Sequence, residues 1–124
     1  LTAATGIKPL YYRFPGGSTE VTEKLQMTDL DAYFNAQGAS YFDWNVIAAN
    51  NTTDDVSVNK MVDSVMNGVA LYDTSIVLMY DSVDRKMTAK SLDSILDYLL
   101  KNGYEILPID ENTIPIHHSL VIDK

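Results

Sequence analysis

The sequence predicts an α/β fold in which about four mostly parallel strands alternate with helices. Short runs rich in β-branched and aromatic residues alternate with longer segments whose apolar residues recur at helical spacing. This alternation is typical of a parallel sheet whose strands are joined by helical crossovers. The chain of 124 residues has the length of one domain, and its 46% hydrophobic residues are sufficient for a packed core.

The predicted elements follow one another in the order β, α, β, α, β, α, β. The strands are predicted at four short runs, Ile7–Phe14, Ala39–Ile47, Thr74–Tyr80 and Tyr104–Ile109. Three amphipathic segments are predicted to be helices. The first covers about Thr28–Gln37 and ends before Gly38, and the second runs from Ser57 to Gly68. The third is capped by Thr88 and ends at Asn102-Gly103.

In parallel α/β folds the functional residues gather at the carboxyl ends of the strands, because loops there are held by a rigid scaffold. Those ends are Arg13–Ser18, Trp44–Asn50, Tyr80–Ser82 and the segment after Ile109. Residues in these four places are the candidates for a site.

The charge balance restricts the partners. A net charge of -8 and a pI of about 4.4 exclude the basic surface that nucleic acid requires, and they disfavour adsorption to anionic lipid. The chain has no cysteine, so disulfides and thiolate metal sites are excluded. No apolar run approaches the roughly 20 residues that cross a bilayer, and the first ten residues do not have the pattern of a signal peptide. We therefore expect neither nucleic-acid binding nor membrane insertion.

Four motifs in order carry a resemblance to a known family. RFPGGS follows the first predicted strand, FDWNV lies in the second, LMYDS ends the third, and a Thr-led helix runs into NGYE. Together they resemble the C-terminal half of a polysaccharide deacetylase domain of carbohydrate esterase family 4, which includes peptidoglycan and chitin deacetylases. The resemblance covers nearly the whole chain and implies half of a distorted (β/α) barrel, as a single partial domain over residues 1–124.

The resemblance implies roles for two residues around the first turn. Arg13 corresponds to the arginine that holds the family's catalytic-base aspartate, and a guanidinium can orient a carboxylate with two parallel hydrogen bonds. The N–H of Gly16 corresponds to a backbone donor for the oxyanion that develops on the amide.

Four further residues are implied to contact the substrate. Pro15 and Gly17 would shape one wall of a sugar groove, and Trp44 would line the opposite wall. Leu78 corresponds to the leucine that packs against the acetyl methyl. The implied substrate is an amino-sugar polysaccharide such as peptidoglycan or chitin, and the implied location is the bacterial cell envelope or the extracellular space.

The sequence departs from the family pattern at two implied catalytic positions. Tyr80 replaces the histidine that protonates the leaving amine, and a phenol is a much weaker acid than an imidazolium. Asn50 replaces the acidic residue that pairs with the arginine. Asp43 is the only alternative acid on that strand.

The family binds zinc or another divalent metal through an aspartate and a histidine-x-x-x-histidine pair, and this spacing is absent here. The two histidines, His117 and His118, are adjacent, and we expect them to be solvated or loosely packed. We therefore expect no cofactor in this chain, which would be a fragment or degenerate member that is inactive alone.

Other interpretations stay open. Arg13 could equally be a surface arginine without a catalytic role. Tyr80 could be a structural residue at a strand end that leads into a turn, and Trp44 could be a core residue. The chain would then be a non-catalytic carbohydrate-binding remnant or a structural domain. Strands from half of a barrel also leave edges without partners, so we expect association with a second copy or with a missing half.

Overall fold

The computed structural model of the chain describes residues 2–20, 27–49, 56–81 and 86–118. The chain divides into two compact units, Leu1–Asp43 with Ile109–Lys124 and Trp44–Pro108. We call these the first and second units. The organisation as one partial domain stays a prediction. In the described part of the chain, no helix is long and apolar enough to cross a membrane.

The first unit pairs two short strands and covers them with a helix. Its elements are α1 (Thr2–Thr5), β1 (Tyr11–Tyr12), a 3₁₀ turn (Ser18–Glu20), α2 (Met27–Ala36) and β2 (Ser40–Tyr41). β1 and β2 are parallel, with Tyr11 opposite Ser40 and Tyr12 opposite Tyr41. Aromatic rings of both strands and of α2 pack together, and the ring centroids of Phe14 and Tyr41 are 5.4 Å apart. Aromatic packing therefore forms the core of this unit.

The second unit contains the aliphatic core. Its elements are β3 (Val46–Ile47), α3 (Val58–Val69), β4 (Val77–Leu78) and α4 (Lys86–Lys101). β3 and β4 are parallel, and among the described residues the core comprises eight buried side chains: Val46, Ala48, Ala49, Met61, Val62, Val65, Val69 and Ile95. The amphipathic helix predicted from Ser57 to Gly68 is confirmed as α3, and its buried face includes Met61, Val62 and Val65.

Predicted helix ends are confirmed by their capping geometry. Ser57 caps α3, because its side chain accepts a hydrogen bond from the N–H of Lys60. Gly38 has a φ of 70° after α2, and the N–H of Ala39 donates to the carbonyl of Phe34 at 2.9 Å. This is the Schellman arrangement, which requires the left-handed backbone that glycine adopts without strain.

The α/β class and the parallel pairing of strands are confirmed, but some strand predictions are wrong. Ala39–Ile47 is not one strand. It contains β2 and β3, which belong to separate two-stranded sheets. The reason is a change of backbone partner, since the N–H of Phe42 donates to Tyr12 whereas that of Asn45 donates to Ile76. The order of elements therefore has two consecutive strands at this point.

Two further element predictions are corrected. Tyr104–Ile109 is described without strand structure, and Pro108 in it has no N–H to donate to a sheet. Thr88 is not the cap of α4, because the helix already includes Lys86. Thr88 is instead buried in the first turn, where its carbonyl accepts a hydrogen bond from the Ser91 hydroxyl at 2.8 Å. Barrel closure is not seen in the described ranges, in which the sheets have two strands each.

Candidate functional site

A tight turn follows β1 at the predicted Pro-Gly-Gly motif. The N–H of Gly17 donates to the carbonyl of Phe14 at 2.8 Å, which closes a four-residue turn with Pro15 and Gly16 at its centre. Gly16 has a φ of 76°, as the third residue of a type II turn requires. The turn's own hydrogen bond uses the N–H of Gly17 and not that of Gly16. Gly16 is exposed, so its N–H lies on an accessible turn of defined geometry.

A buried carboxylate fixes the end of this turn. Asp43 follows β2 and is 1% exposed. Its Oδ1 accepts the backbone N–H of Ser18 at 2.9 Å, and its Oδ2 accepts the Ser18 hydroxyl at 2.5 Å. The backbone N–H of His118 also donates to Oδ2, at 2.7 Å. Asp43 therefore connects three segments of the first unit, namely the turn, the end of β2 and the segment after Ile109.

The electrostatics of Asp43 favour the ionised carboxylate. Burial acts to raise the pKa of Asp43, but the hydrogen bonds from the Ser18 hydroxyl and from the His118 and Ser18 backbones outweigh it. The positive charge of a protonated His118 acts in the same direction. The pKa of Asp43 is therefore lowered, and the carboxylate is charged at neutral pH.

The two histidines are placed differently. The His117 ring stacks on the Tyr41 ring, with centroids 3.9 Å apart and an interplanar angle of 11°, and its Nε2 is 3.0 Å from the Tyr41 carbonyl oxygen. The expectation of a solvated or loosely packed pair is therefore wrong for His117, which is half-buried and stacked on Tyr41. His118 is exposed, as expected, although its backbone is held by Asp43.

The cluster of Ser18, Asp43 and His118 is not a nucleophilic triad. Ser18 is 1% exposed, and its hydroxyl donates to a carboxylate rather than to an imidazole. A serine nucleophile must transfer its proton to a base and must reach the substrate. The geometry instead makes Ser18 a structural donor to Asp43.

The sequence-predicted site residues are divided between the two units. Arg13, Pro15, Gly16 and Gly17 lie in the first unit, at the turn after β1, where Arg13 and Pro15 are exposed. Trp44, Leu78 and Tyr80 lie in the second unit. Leu78 is 8% exposed, and its carbonyl accepts the N–H of Ala48, whereas Trp44 and Tyr80 are half-buried. Asn50 lies outside the described residues.

The described residues do not fit a divalent metal. Within the four described ranges, no group of three or more histidine, cysteine, aspartate or glutamate residues is placed to hold an ion. A catalytic zinc needs three converging protein ligands. The His117 ring contacts Tyr41, and the Asp43 carboxylate accepts three hydrogen bonds, so neither is arranged as part of a ligand set.

The sequence did not predict that Ser18 and His118 contact Asp43. It indicated Asp43 only as a possible partner of Arg13, and it indicated Ser18 only as the last residue of the turn. One signal was available, since an ionisable residue inside a buried strand must find hydrogen-bond donors. The sequence does not specify that a segment 75 residues further along the chain supplies one of them.

Comparison with known proteins gives structural matches. No family model matches the sequence, and no curated protein matches it. A solved catalytic domain of peptidoglycan N-acetylglucosamine deacetylase from Eubacterium rectale aligns with 94% of this chain at 30% identity and a TM-score of 0.80. A CE4 esterase from Streptococcus mutans aligns with 77% of the chain at 25% identity and a TM-score of 0.65. A polysaccharide deacetylase from Bacillus cereus, at 20% identity, supports the fold alone, with a TM-score of 0.66.

These matches define the class of protein. The chain has the structure of about half of a carbohydrate esterase family 4 polysaccharide deacetylase domain, as the motifs predicted. It spans 54%, 42% and 56% of the three solved chains, respectively. The chain is thus related to polysaccharide deacetylases over a part of their catalytic domain.

Proposed function

We propose that the chain is the C-terminal half of a deacetylase domain that removes N-acetyl groups from an amino-sugar polymer such as peptidoglycan. The observation that carries this proposal is the match to the Eubacterium rectale deacetylase domain over 94% of the chain. The bacterial cell envelope or the extracellular space is the proposed location. In this proposal the chain is a half of a distorted barrel and does not release acetate alone, because its described residues do not fit the metal that the resemblance implies.

The turn after β1 would act on the carbonyl side of the scissile amide. When water adds to the carbonyl carbon, negative charge develops on the oxygen, and the N–H of Gly16 would donate a hydrogen bond to it. This role is supported by the turn geometry, which fixes Gly16 without using its N–H in the turn. Arg13 would orient the carboxylate that accepts the proton of the water. That carboxylate is not Asp43 in this proposal, because Asp43 already accepts bonds from Ser18 and His118.

Four other residues complete the proposed substrate contacts. The resemblance implies that Pro15 and Gly17 would shape a groove wall, that Trp44 would stack on a sugar ring, and that Leu78 would pack against the acetyl methyl. Tyr80 and Asn50 occupy the positions of a family histidine and a family acid. A non-catalytic carbohydrate-binding remnant would use the same contacts, so the experiment has to measure product release and not only binding.

The test supplies the missing half. The chain is co-expressed with the part of the Eubacterium rectale domain that it does not cover, and acetate release from chitooligosaccharide and peptidoglycan is measured with added zinc or cobalt. We expect acetate from the combination and none from either half alone. Acetate from the isolated chain would contradict the proposed division, and polymer binding without acetate from the combination would contradict deacetylation.

Two variants test the residue roles in the same assay. Arg13→Ala should reduce acetate release strongly, and Arg13→Lys is the matched control, because lysine keeps the charge but cannot form the two parallel bonds of a guanidinium. Equal activity of the wild type and Arg13→Ala would remove the proposed role of Arg13. Tyr80→His tests whether the proton donor acts from position 80: a higher rate would place it there, and an unchanged rate would indicate that another group donates the proton.

A further inference from the structure

Hydrolysis of an amide requires a proton donor for the leaving nitrogen. An amine anion is a very poor leaving group, so the nitrogen must be protonated as its bond to carbon breaks. A phenol, the group that tyrosine offers at position 80, is in general a weak acid for this task. An imidazolium is the side chain best suited to donate a proton near neutral pH, and the chain has only two histidines.

His117 is committed to a structural contact. Its ring lies almost parallel to the Tyr41 ring, and its Nε2 is within hydrogen-bond distance of the Tyr41 carbonyl oxygen. A ring held in this way cannot turn towards a substrate without losing both contacts. His118 is therefore the better candidate.

His118 is held next to the turn by the carboxylate that also holds Ser18. The backbone N–H of His118 and the hydroxyl of Ser18 donate to the same oxygen of Asp43, at 2.7 and 2.5 Å. Ser18 comes two residues after Gly16, whose N–H is the proposed oxyanion donor. One buried anion thus fixes the backbone positions of both His118 and the turn, all within the first unit.

The exposure of His118 is also suitable. Its interaction with the Asp43 carboxylate is one of the causes that lower the pKa of Asp43. The side chain of His118 is exposed, unlike that of Asp43, so a substrate can reach it. Asp43 thus holds the main chain of an exposed histidine through its backbone N–H.

We propose that His118 is the catalytic proton donor to the leaving amine, and that Asp43 is the positioning residue that holds it beside the Gly16 turn. The inference rests on the proposed deacetylation. After water has added to the carbonyl carbon, the C–N bond breaks and its electron pair stays on nitrogen, which takes the proton from the His118 imidazolium. The oxyanion regenerates a C=O bond, and the products are a carboxylic acid and a free amine. Solvent returns a proton to the neutral imidazole.

The experiment compares two leaving groups. The combined enzyme described above is assayed with a chitooligosaccharide, whose amine must be protonated, and with para-nitrophenyl acetate, whose phenolate leaves without a proton. His118→Gln should lower kcat for the amide by about 10²- to 10⁴-fold, with KM little changed, whereas the rate with the ester stays close to that of the wild type. His117→Gln is the matched control, and it should change the rates with the amide and with the ester by the same factor.

A rescue experiment distinguishes a proton donor from a structural residue. Because His118 is exposed, free imidazole can enter the space left in His118→Gly, and it should restore part of the amide hydrolysis. Protection of the Ser18 amide from hydrogen exchange reports whether the variants keep the turn. An unchanged amide rate in His118→Gln, or an equal loss with both substrates, would overturn the assignment. Absence of acetate from the unmutated combination would instead refute the proposed function, and the assignment with it.

Discussion

The hydroxyl of Ser18 lies 2.5 Å from Oδ2 of Asp43, and both side chains are almost completely buried. This hydrogen bond joins a glycine-rich turn to the end of a strand 25 residues later in the chain. The same carboxylate oxygen accepts the N–H of His118, so one ionised group stabilises three separate segments. The stability of the first unit should therefore depend on the charge of Asp43.

We expect the first unit to lose stability in acid because of Asp43. Its pKa is lower in the folded chain than in the unfolded chain, so the folded state binds fewer protons. The stabilisation is fully present above the unfolded pKa of about 4 and is lost as the pH falls through the lower folded pKa. Hydrogen exchange of the Ser18 and His118 amides, corrected for intrinsic rates, measures this loss.

Asp43→Asn should remove this part of the acid dependence and cost about 1.5–3 kcal/mol at neutral pH, because hydrogen bonds to a charged acceptor are lost. Glu111→Gln removes an exposed carboxylate of the same unit and is the control. An Asp43→Asn variant with the same acid dependence as the wild type would show that another group causes it.

Gly68→Ala should destabilise the second unit, although alanine is the better helix former. A Cβ at Gly68 in α3 would lie 2.6 Å from Cγ1 of Val46, a buried β-branched side chain with little freedom to move. Overpacking costs about 1–3 kcal/mol and exceeds the gain in helix propensity of at most about 1 kcal/mol. The difference in the free energy of unfolding between the wild type and Gly68→Ala can be measured by urea denaturation. The fluorescence of the single tryptophan, Trp44, reports the unfolding of this unit.

Two further variants identify the cause of that effect. Asn67→Ala, at an exposed position of the same helix, should leave the stability unchanged or slightly raised. The double variant Val46→Ala/Gly68→Ala should lose less free energy of unfolding than the sum of the two single losses. The reason is that the smaller side chain at position 46 leaves room for the added Cβ at position 68. Strict additivity would contradict the predicted contact.

Asn45→Ala should destabilise the pairing of β3 with β4. The Asn45 side chain donates to the carbonyl of Thr74 at 3.0 Å and accepts the N–H of Ile76 at 2.8 Å, so it bridges to the segment before β4. Loss of both hydrogen bonds should lower the free energy of unfolding by about 1–3 kcal/mol, which urea denaturation can measure. Asn45→Asp keeps the acceptor and loses the donor, so its stability should lie between those of the wild type and Asn45→Ala. An Asp variant that is no better than the Ala variant would show that the bond from Ile76 contributes little.

We expect the isolated chain to associate in solution. Large apolar side chains are exposed in both units, with Ile7 71% and Ile114 79% exposed in the first and Leu71 75% and Leu107 69% exposed in the second. Burial of such side chains against a second copy would remove apolar surface from water. Sedimentation of the purified chain as a compact, stable monomer at micromolar concentration would contradict this expectation.

Local patterns predicted much of the secondary structure. The apolar spacing of α3 identified its buried face, and Gly38 identified the end of α2. These features depend on residues within a few positions of one another. The ends of the strands were less predictable, because an apolar run such as Ala39–Ile47 does not show where the backbone changes its hydrogen-bond partner.

The sequence by itself determined the α/β class, the helices and the Pro-Gly-Gly turn, since these follow from periodicity and from the backbone freedom of single residues. Only the tertiary structure decided that Asp43 joins Ser18 and His118, and that His117 rather than His118 packs on Tyr41. A buried carboxylate requires donors, but which donors reach it depends on how distant segments pack. The site therefore became visible only when segments 25 and 75 residues apart were brought together.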